Sequence, residues 1–396
     1  MHILIIGDTY PPMKTSGAVM IGDLAQELKS RLYSVSVVVP GGSQSESVID
    51  VIQDGVRVIS IKALRTKDIP YIRRVFAEFL NPFLIWTVIA KENLFKGKSI
   101  DLVIWYSPSI FWGPLVKRIK NYWGCKAYLV LRDIFPDWAI DLDLLRSNAI
   151  AYVLKRIALY QYGQADLIGV QSPANLEYFI RNNPGLKNKT EVLWNWIRPE
   201  RERDCSIELK KTTLVNKRIG VYAGNIGVAQ GVEYFLRIAR VITENPEFGL
   251  VFIGRGAEMA NLKESIAQEK IQNVLFFEEI EPEEISNLYK QCDFGILLLD
   301  PRHKTHNIPG KFISYIHAGI PTFGLVEEEN DLLEMVNIYR VGMLSSDYST
   351  EGVSNAFLLF KKDYLDIQNK KEPYKELEDH YFNSSKAADQ VIKNFL

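Results

Sequence analysis

Short apolar runs alternate along the chain with longer stretches of helical period. Residues 2–7 (HILIIG) predict a buried parallel strand, apolar throughout and closed by a glycine. A polar loop, DTYPPMKTSG, leads into a helix over 18–31 whose Met20, Ile21, Leu24 and Leu28 share one face. Further strands are expected at 34–40, 56–61, 101–106, 126–131, 166–170 and 191–195, which makes a doubly wound α/β half. The texture changes at 196–213, charged and aperiodic, and reads as a connecting segment. The pattern then restarts: a strand at 218–224, a glycine-bearing loop, a helix from 231, and strands at 249–254, 273–278, 294–299, 321–326 and 341–346, with helices from 350 to the end. The expected architecture is α/β with two facing Rossmann-like domains, 1–198 and 216–396, joined by a linker at 199–215. The final helix is a candidate to return to the N-terminal domain. A cleft between the domains, at the carboxyl ends of the strands, is where such sheets bind ligands.

The chain has 396 residues, enough for two domains, with 47% hydrophobic and 24% charged residues, which excludes a disordered or fibrous protein. Its three cysteines lack CxxC spacing, which argues for a reducing compartment and against structural zinc. The net charge of −1 hides an asymmetry. Residues 1–200 carry 24 Lys+Arg against 18 Asp+Glu, and residues 201–396 carry 23 against 30, so the basic half is the one expected to meet an anionic surface. Residues 1–8 have no basic leader, and the uncharged stretch 79–90 is 12 residues long and contains Pro82, short of the roughly 18 needed for a span. A cytoplasmic protein, soluble or peripheral on a membrane, is expected. Residues 64–100 set seven cations, Arg65, Lys67, Arg73, Arg74, Lys91, Lys96 and Lys98, against three acids, with Phe76, Phe79, Phe83, Trp86 and Phe95 between them. That mixture suits an interfacial helix on an anionic leaflet, or an ordinary amphipathic helix packed on the sheet.

Candidate chemistry narrows the class. The loop after the first strand is GDTYPP, without GxGxxG, and neither half contains GxxxxGK[ST], so dehydrogenase and P-loop readings fall. In the second half Ala223 to Gly231 holds three glycines between a strand and a helix, where backbone N–H groups can approach an anion. Gly17 precedes the first helix in the same way, with Ser16 as an expected N-cap. Asp141-Leu142-Asp143 is a DxD that reads better as a helix face than as a metal site, and His303 with His306 is a weak metal pair. Asp133 is either a base or orienting carboxylate, or a strand-end cap.

The segment Asn307-Ile308-Pro309-Gly310-Lys311-Phe312, continuing through Ser314 to Ala318-Gly319-Ile320-Pro321, resembles the retaining glycosyltransferases of family 4, which have the GT-B fold. Val130-Leu131-Arg132-Asp133-Ile134-Phe135-Pro136, Trp105-Tyr106-Ser107-Pro108 and Tyr222 to Gly227 with Gln230-Gly231 are similar to a subgroup in O-antigen and capsule assembly, which includes WbuB-type N-acetyl-L-fucosaminyltransferases. The resemblance implies transfer of a sugar from a uridine diphosphate donor to a polyprenyl-diphosphate-linked oligosaccharide, with no metal or other cofactor and no nucleic-acid partner. It implies a donor site at Gly17, Gly224, Asn225, Gly227, Arg255, Ile280, His306, Asn307, Ile308, Pro309, Gly310 and Ser314, and catalytic roles for Asp133, Arg132 and Lys311. Departures are plain. His306 and Ser314 stand where the family carries glutamates, Arg132 where it carries histidine, and Asn225 and Gln230 where it carries the diphosphate-binding cations. The diphosphate charge then falls to Lys311 and Arg255. The rivals are a nonhydrolysing UDP-GlcNAc 2-epimerase, which shares the two-domain fold, and a catalytically silent nucleotide-binding subunit.

Overall fold

The computed structural model describes residues 1–41, 45–66, 69–198, 203–227, 231–368 and 370–396. The chain divides into two units, Met1–Trp196 with Ser384–Leu396, and Ile197–Asn383.

The first unit is an eight-stranded sheet: β1 (His2–Ile6), β2 (Ser34–Pro40), β3 (Val48–Gln53), β4 (Val56–Ile61), β5 (Leu102–Tyr106), β6 (Lys126–Val130), β7 (Leu167–Val170) and β8 (Thr190–Val192), in the order β3-β4-β2-β1-β5-β6-β7-β8. All neighbours are parallel except β3 and β4. Every residue of β1 and β5 is buried because both faces are covered. Leu4 and Ile6 join a core with Ile85, Ile89 and Leu115, while Ile3 and Ile5 join one with Leu24, Leu28 and the Ala388 and Val391 of the final helix. That helix, Ser384–Lys393, is also tied to the unit through Arg31 and Asp389 at 2.7 Å.

Three local features differ from the sequence reading. Strand β3 was not expected. It lies at the edge with four of its six residues exposed, so it shows no clean alternation, and its signal was the turn at Asp54-Gly55, where both residues have positive φ (50° and 81°) as a tight hairpin requires. The first helix runs Ser16–Ser30 and is capped by Thr15, whose side chain accepts from the Ala18 amide; Ser16 is the first helical residue. The segment assigned to a linker is part of the second unit from 203 onward: Ile207, Leu209 and Leu214 are buried in its core, and Gln291 bonds the Leu209 amide and the Ile207 carbonyl. Residues 199–202 lie outside the described residues.

The basic, aromatic stretch folds largely as the helix Tyr71–Lys91. Ala77, Ile85 and Ile89 face the core, Trp86 packs edge-on against Trp123, and Phe95 is buried under the Arg57 guanidinium. Phe76, Phe79 and Leu84 are exposed. Trp86 is therefore a packing residue, and the outer face is carried by the two phenylalanines and Leu84. Lys67 lies outside the described residues. No helix among the described residues is long and apolar enough to cross a membrane.

The second unit is a six-stranded parallel sheet: β9 (Arg218–Ala223), β10 (Phe248–Ile253), β11 (Val274–Phe277), β12 (Phe294–Leu298), β13 (Thr322–Leu325) and β14 (Gly342–Ser345), in the order β11-β10-β9-β12-β13-β14. Winding runs outward from β9 to β11, then restarts on the other side at β12. The reversal leaves a crevice at the carboxyl ends of β9 and β12, the place where open α/β sheets bind ligands.

Candidate functional site

Two loops and one helix converge at that reversal. Strand β9 is followed by Gly224, whose φ of 138° suits only glycine, and the loop after β10 lies directly on it: a Cβ on Gly254 would stand 2.2 Å from the Gly224 carbonyl oxygen. The Gly224 amide donates to Ile253 O at 2.8 Å and the Ile226 amide to Arg255 O at 2.9 Å, so the two loops form one bare backbone surface. The chain leaving β12 turns through 300–309 into the helix Gly310–Ala318, whose N-cap Pro309 supplies no side-chain bond. The Phe312 amide turns back to the Pro309 carbonyl at 3.0 Å, which leaves the Gly310 and Lys311 amides as the groups of this terminus that can face an anion. Lys311 reaches from this helix across to β9: its Nζ sits 4.7 Å above the Tyr222 ring and 2.9 Å from where a Gly224 Cβ would be. The side chain has no carboxylate partner among the described residues. A cation at a helix N-terminus is locally unfavourable, and here it adds to the positive end of the helix against the glycine loop.

The remaining expected donor residues separate. Gly227 and the exposed Asn225 lie on the same loop, and the Asn225 carbonyl accepts from Tyr222 Oη at 2.9 Å; Gln230 lies outside the described residues. Arg255 is exposed and paired with Glu279 at 3.2 Å, so its charge is already met and Lys311 is the better placed cation. Ile280 packs on the core beneath this loop edge. Asn307 and the buried Ile308 lead into Pro309 and Gly310. The Ser314 hydroxyl turns back to the Gly310 carbonyl at 3.1 Å, the usual helical bond of a serine, and supplies no carboxylate. His306 is buried between Glu327 (Nδ1 to Oε1, 3.3 Å) and Glu329 (Nε2 to Oε2, 3.4 Å). Glu327, 5% exposed, also accepts from Asn330 at 2.7 Å, while its Oε2 has no hydrogen-bond partner among the described residues. Sequence reasoning missed this carboxylate. Its signal was the polar run Glu327 to Asn330 directly after an apolar strand.

In the first unit the sheet reverses between β1 and β5. Gly17 meets the Tyr106 ring there, 3.2 Å from a hypothetical Cβ. Arg132 points inward: it is 5% exposed, donates to the carbonyls of Leu193 (2.6 Å) and Trp194 (3.2 Å), and stacks on Trp196 at 5.0 Å. Burial lowers its pKa to about 10 even though Tyr106 and Tyr128 favour the charge. The arrangement ties the segment after β8 to β6, which gives Arg132 a structural role. Asp133 is partly exposed, and its amide donates to Ser107 Oγ at 3.2 Å. Asp141 accepts from Tyr178 Oη at 3.1 Å, and the DxD forms no cluster of three metal-ligating groups among the described residues. A second carboxylate that the sequence reading missed is Asp8, at the end of β1. Burial and the neighbouring Glu78 raise its pKa to about 7, against the pull of Arg74, the Ser109 amide and the Trp112 indole. Glu78 accepts from Arg74 (2.7 Å) and Ser109 Oγ (3.2 Å).

The two parallel-sheet units share the fold of GT-B glycosyltransferases. Residues 207–300 match the family described as Glycosyl transferases group 1, a stretch that holds both glycine loops and ends before Lys311. WbjE of Pseudomonas aeruginosa, named a probable glycosyltransferase, is 21% identical over 225 residues, 55% of this chain and 56% of WbjE. WcaI of Escherichia coli (strain K12), whose name places it among glycosyl transferases of colanic acid biosynthesis, is 22% identical over 231 residues, with 55% and 56% covered. The chain thus matches about half the length of these curated relatives. The Anabaena protein HepE, solved in complex with UDP, shares the fold with a TM-score of 0.66 at 14% identity, over 100% of this chain and 99% of HepE.

Proposed function

We propose that this protein is a glycosyltransferase that moves a sugar from a UDP-sugar to a lipid-linked oligosaccharide in O-antigen, lipopolysaccharide or capsule assembly, on the cytoplasmic face of the plasma membrane. The observation that carries the reading is Lys311 lying from a helix N-terminus across the Gly224 loop at the sheet reversal. Backbone N–H groups, a helix terminus and one cation with no carboxylate partner among the described residues together suit a diphosphate without a metal ion. Their effect grows as the sugar leaves and charge collects on the departing diphosphate, which is the condition for catalysis rather than mere binding. The group 1 match, the names of WbjE and WcaI, and the UDP held by HepE support the same class. A retaining outcome and a relation to family 4 and its N-acetyl-L-fucosaminyl subgroup rest on the motifs from Trp105 to Pro108, Val130 to Pro136 and Asn307 to Pro321.

A catalytically silent nucleotide-binding subunit is the second reading, favoured by one observation: the Ser314 hydroxyl is spent on its own helix where the resembled family has a carboxylate. A thermal-shift screen of UDP-sugars, followed by turnover of the stabilising one, separates the two. A ligand at 100 times its Kd stabilises by about 2.7 kcal/mol. Stabilisation with UDP release in the presence of acceptor supports the transferase. Stabilisation without turnover supports the silent subunit, and interconversion of UDP-GlcNAc alone identifies an epimerase.

A further inference from the structure

On the first unit, the helices Tyr71–Lys91, Gly113–Trp123 and Ala149–Gln164 leave an open groove of ≈ 680 Å³ between them. Its walls are aromatic and aliphatic: Phe79 and Phe83 from the first helix, Phe111 at the entry to the second, and Val153, Ile157 and Tyr160 from the third. Apolar side chains continue outside it. Phe76 is 62% exposed, Tyr152 66% and Val153 54%, large apolar side chains left on the same helices. The polar lining is one-sided. Lys117, Arg118 and Arg156 line the groove, no carboxylate does, and none of the three pairs with an acid among the described residues. Arg118 lies 4.8 Å over the Phe83 ring and Lys117 6.0 Å from Tyr160, so both cations are held against the aromatic wall.

We propose that this groove binds the isoprenoid chain of a prenyl phosphate or diphosphate, with Lys117, Arg118 and Arg156 meeting the phosphate. The inference rests on the reading of a lipid-linked acceptor and gives that acceptor's carrier a place. Charge complementarity selects the occupant: three cations with no acidic partner among the described residues, beside an aromatic trough, match a ligand that is apolar along its length and anionic at one end. A protein helix of ordinary composition would bring no such concentrated negative charge. The volume falls within the roughly 300–1,000 Å³ of small-molecule sites.

Equilibrium binding of farnesyl diphosphate to the full chain tests this, with inorganic diphosphate, farnesol and phosphatidylglycerol vesicles as comparison arms and UDP binding as the independent control. Farnesyl diphosphate is expected to bind at least tenfold more tightly than inorganic diphosphate or farnesol. Arg118→Ala with Arg156→Ala, and separately Val153→Glu at an exposed groove position, should each weaken it at least tenfold and leave UDP binding unchanged. Wild-type protein that binds UDP but not farnesyl diphosphate would overturn the groove and leave the donor site standing. Binding of farnesyl diphosphate unaltered by both variants would place it elsewhere. Vesicle binding that the variants abolish, without farnesyl diphosphate binding, would make the face a bilayer contact and refute the lipid-carrier site.

Discussion

Replacing Lys311 with alanine separates a diphosphate ligand from an ordinary surface lysine. In the unliganded protein two small terms oppose each other. The ammonium loses its position over the Tyr222 ring, worth about 0.5–1 kcal/mol at a half-exposed site, and the helix Gly310–Ala318 loses a like charge at its positive end, a relief of about 0.3–1 kcal/mol. The thermal midpoint of Lys311→Ala should therefore stay near that of the wild type. In the donor complex the loss is uncompensated within this loop, where Arg255 is exposed and faces Glu279. A hydrogen bond to a charged group contributes about 1.5–3 kcal/mol, so affinity for UDP should fall roughly 10- to 150-fold. Calorimetric titration of UDP reads this directly. With the sugar nucleotide, kcat should fall as well as kcat/KM, since the charge on the diphosphate grows toward the transition state. A folded Lys311→Ala protein that binds UDP within threefold of the wild type would refute the assignment.

Other substitutions probe the frame around this site. Arg132→Ala removes a buried guanidinium from the Leu193 and Trp194 carbonyls and should lower stability by about 2–5 kcal/mol in urea denaturation; normal stability with lost turnover would return Arg132 to catalysis. Asp8 has a folded-state pKa of about 7, above its unfolded value of 3.8, because of burial and Glu78. The folded state therefore keeps a proton that the unfolded chain has released, so the stability linked to Asp8 is complete below pH 3.8 and disappears as pH rises through 7. Asp8→Asn should be more stable relative to the wild type at pH 8 than at pH 5, by more than ~1 kcal/mol, and parallel pH profiles would contradict this. Transfer activity should survive EDTA; a loss above tenfold restored by manganese would bring Asp141 and Asp143 back as metal ligands.

Much of the fold was legible because parallel strands covered on both faces are written as short, uninterrupted apolar runs; β1, β5, β10 and β12 are of this kind. Strand β3 escaped because its residues face water, and the 203–217 segment escaped because its three buried side chains, Ile207, Leu209 and Leu214, are spaced too irregularly to show a period. The glycine loop and Lys311 could be read from spacing, since backbone approach needs glycine whatever the neighbours are. Arg132 could not be read. Its direction is fixed by the Leu193 and Trp194 carbonyls, some 60 residues away in sequence. Glu327 and Asp8 were missed for the same reason: a single acid after a strand carries no local pattern, and its significance comes from the burial that other elements impose.

The most direct test of the central claim is mass measurement of a prenyl-diphosphate-linked oligosaccharide incubated with the purified chain and a panel of UDP-sugars in EDTA. The product should be heavier by one sugar residue with one UDP released per residue added, and in Lys311→Ala the rates of both should fall roughly 10- to 150-fold while the protein remains folded. Unchanged acceptor with every donor, under conditions in which UDP binds and the chain is folded, would contradict it.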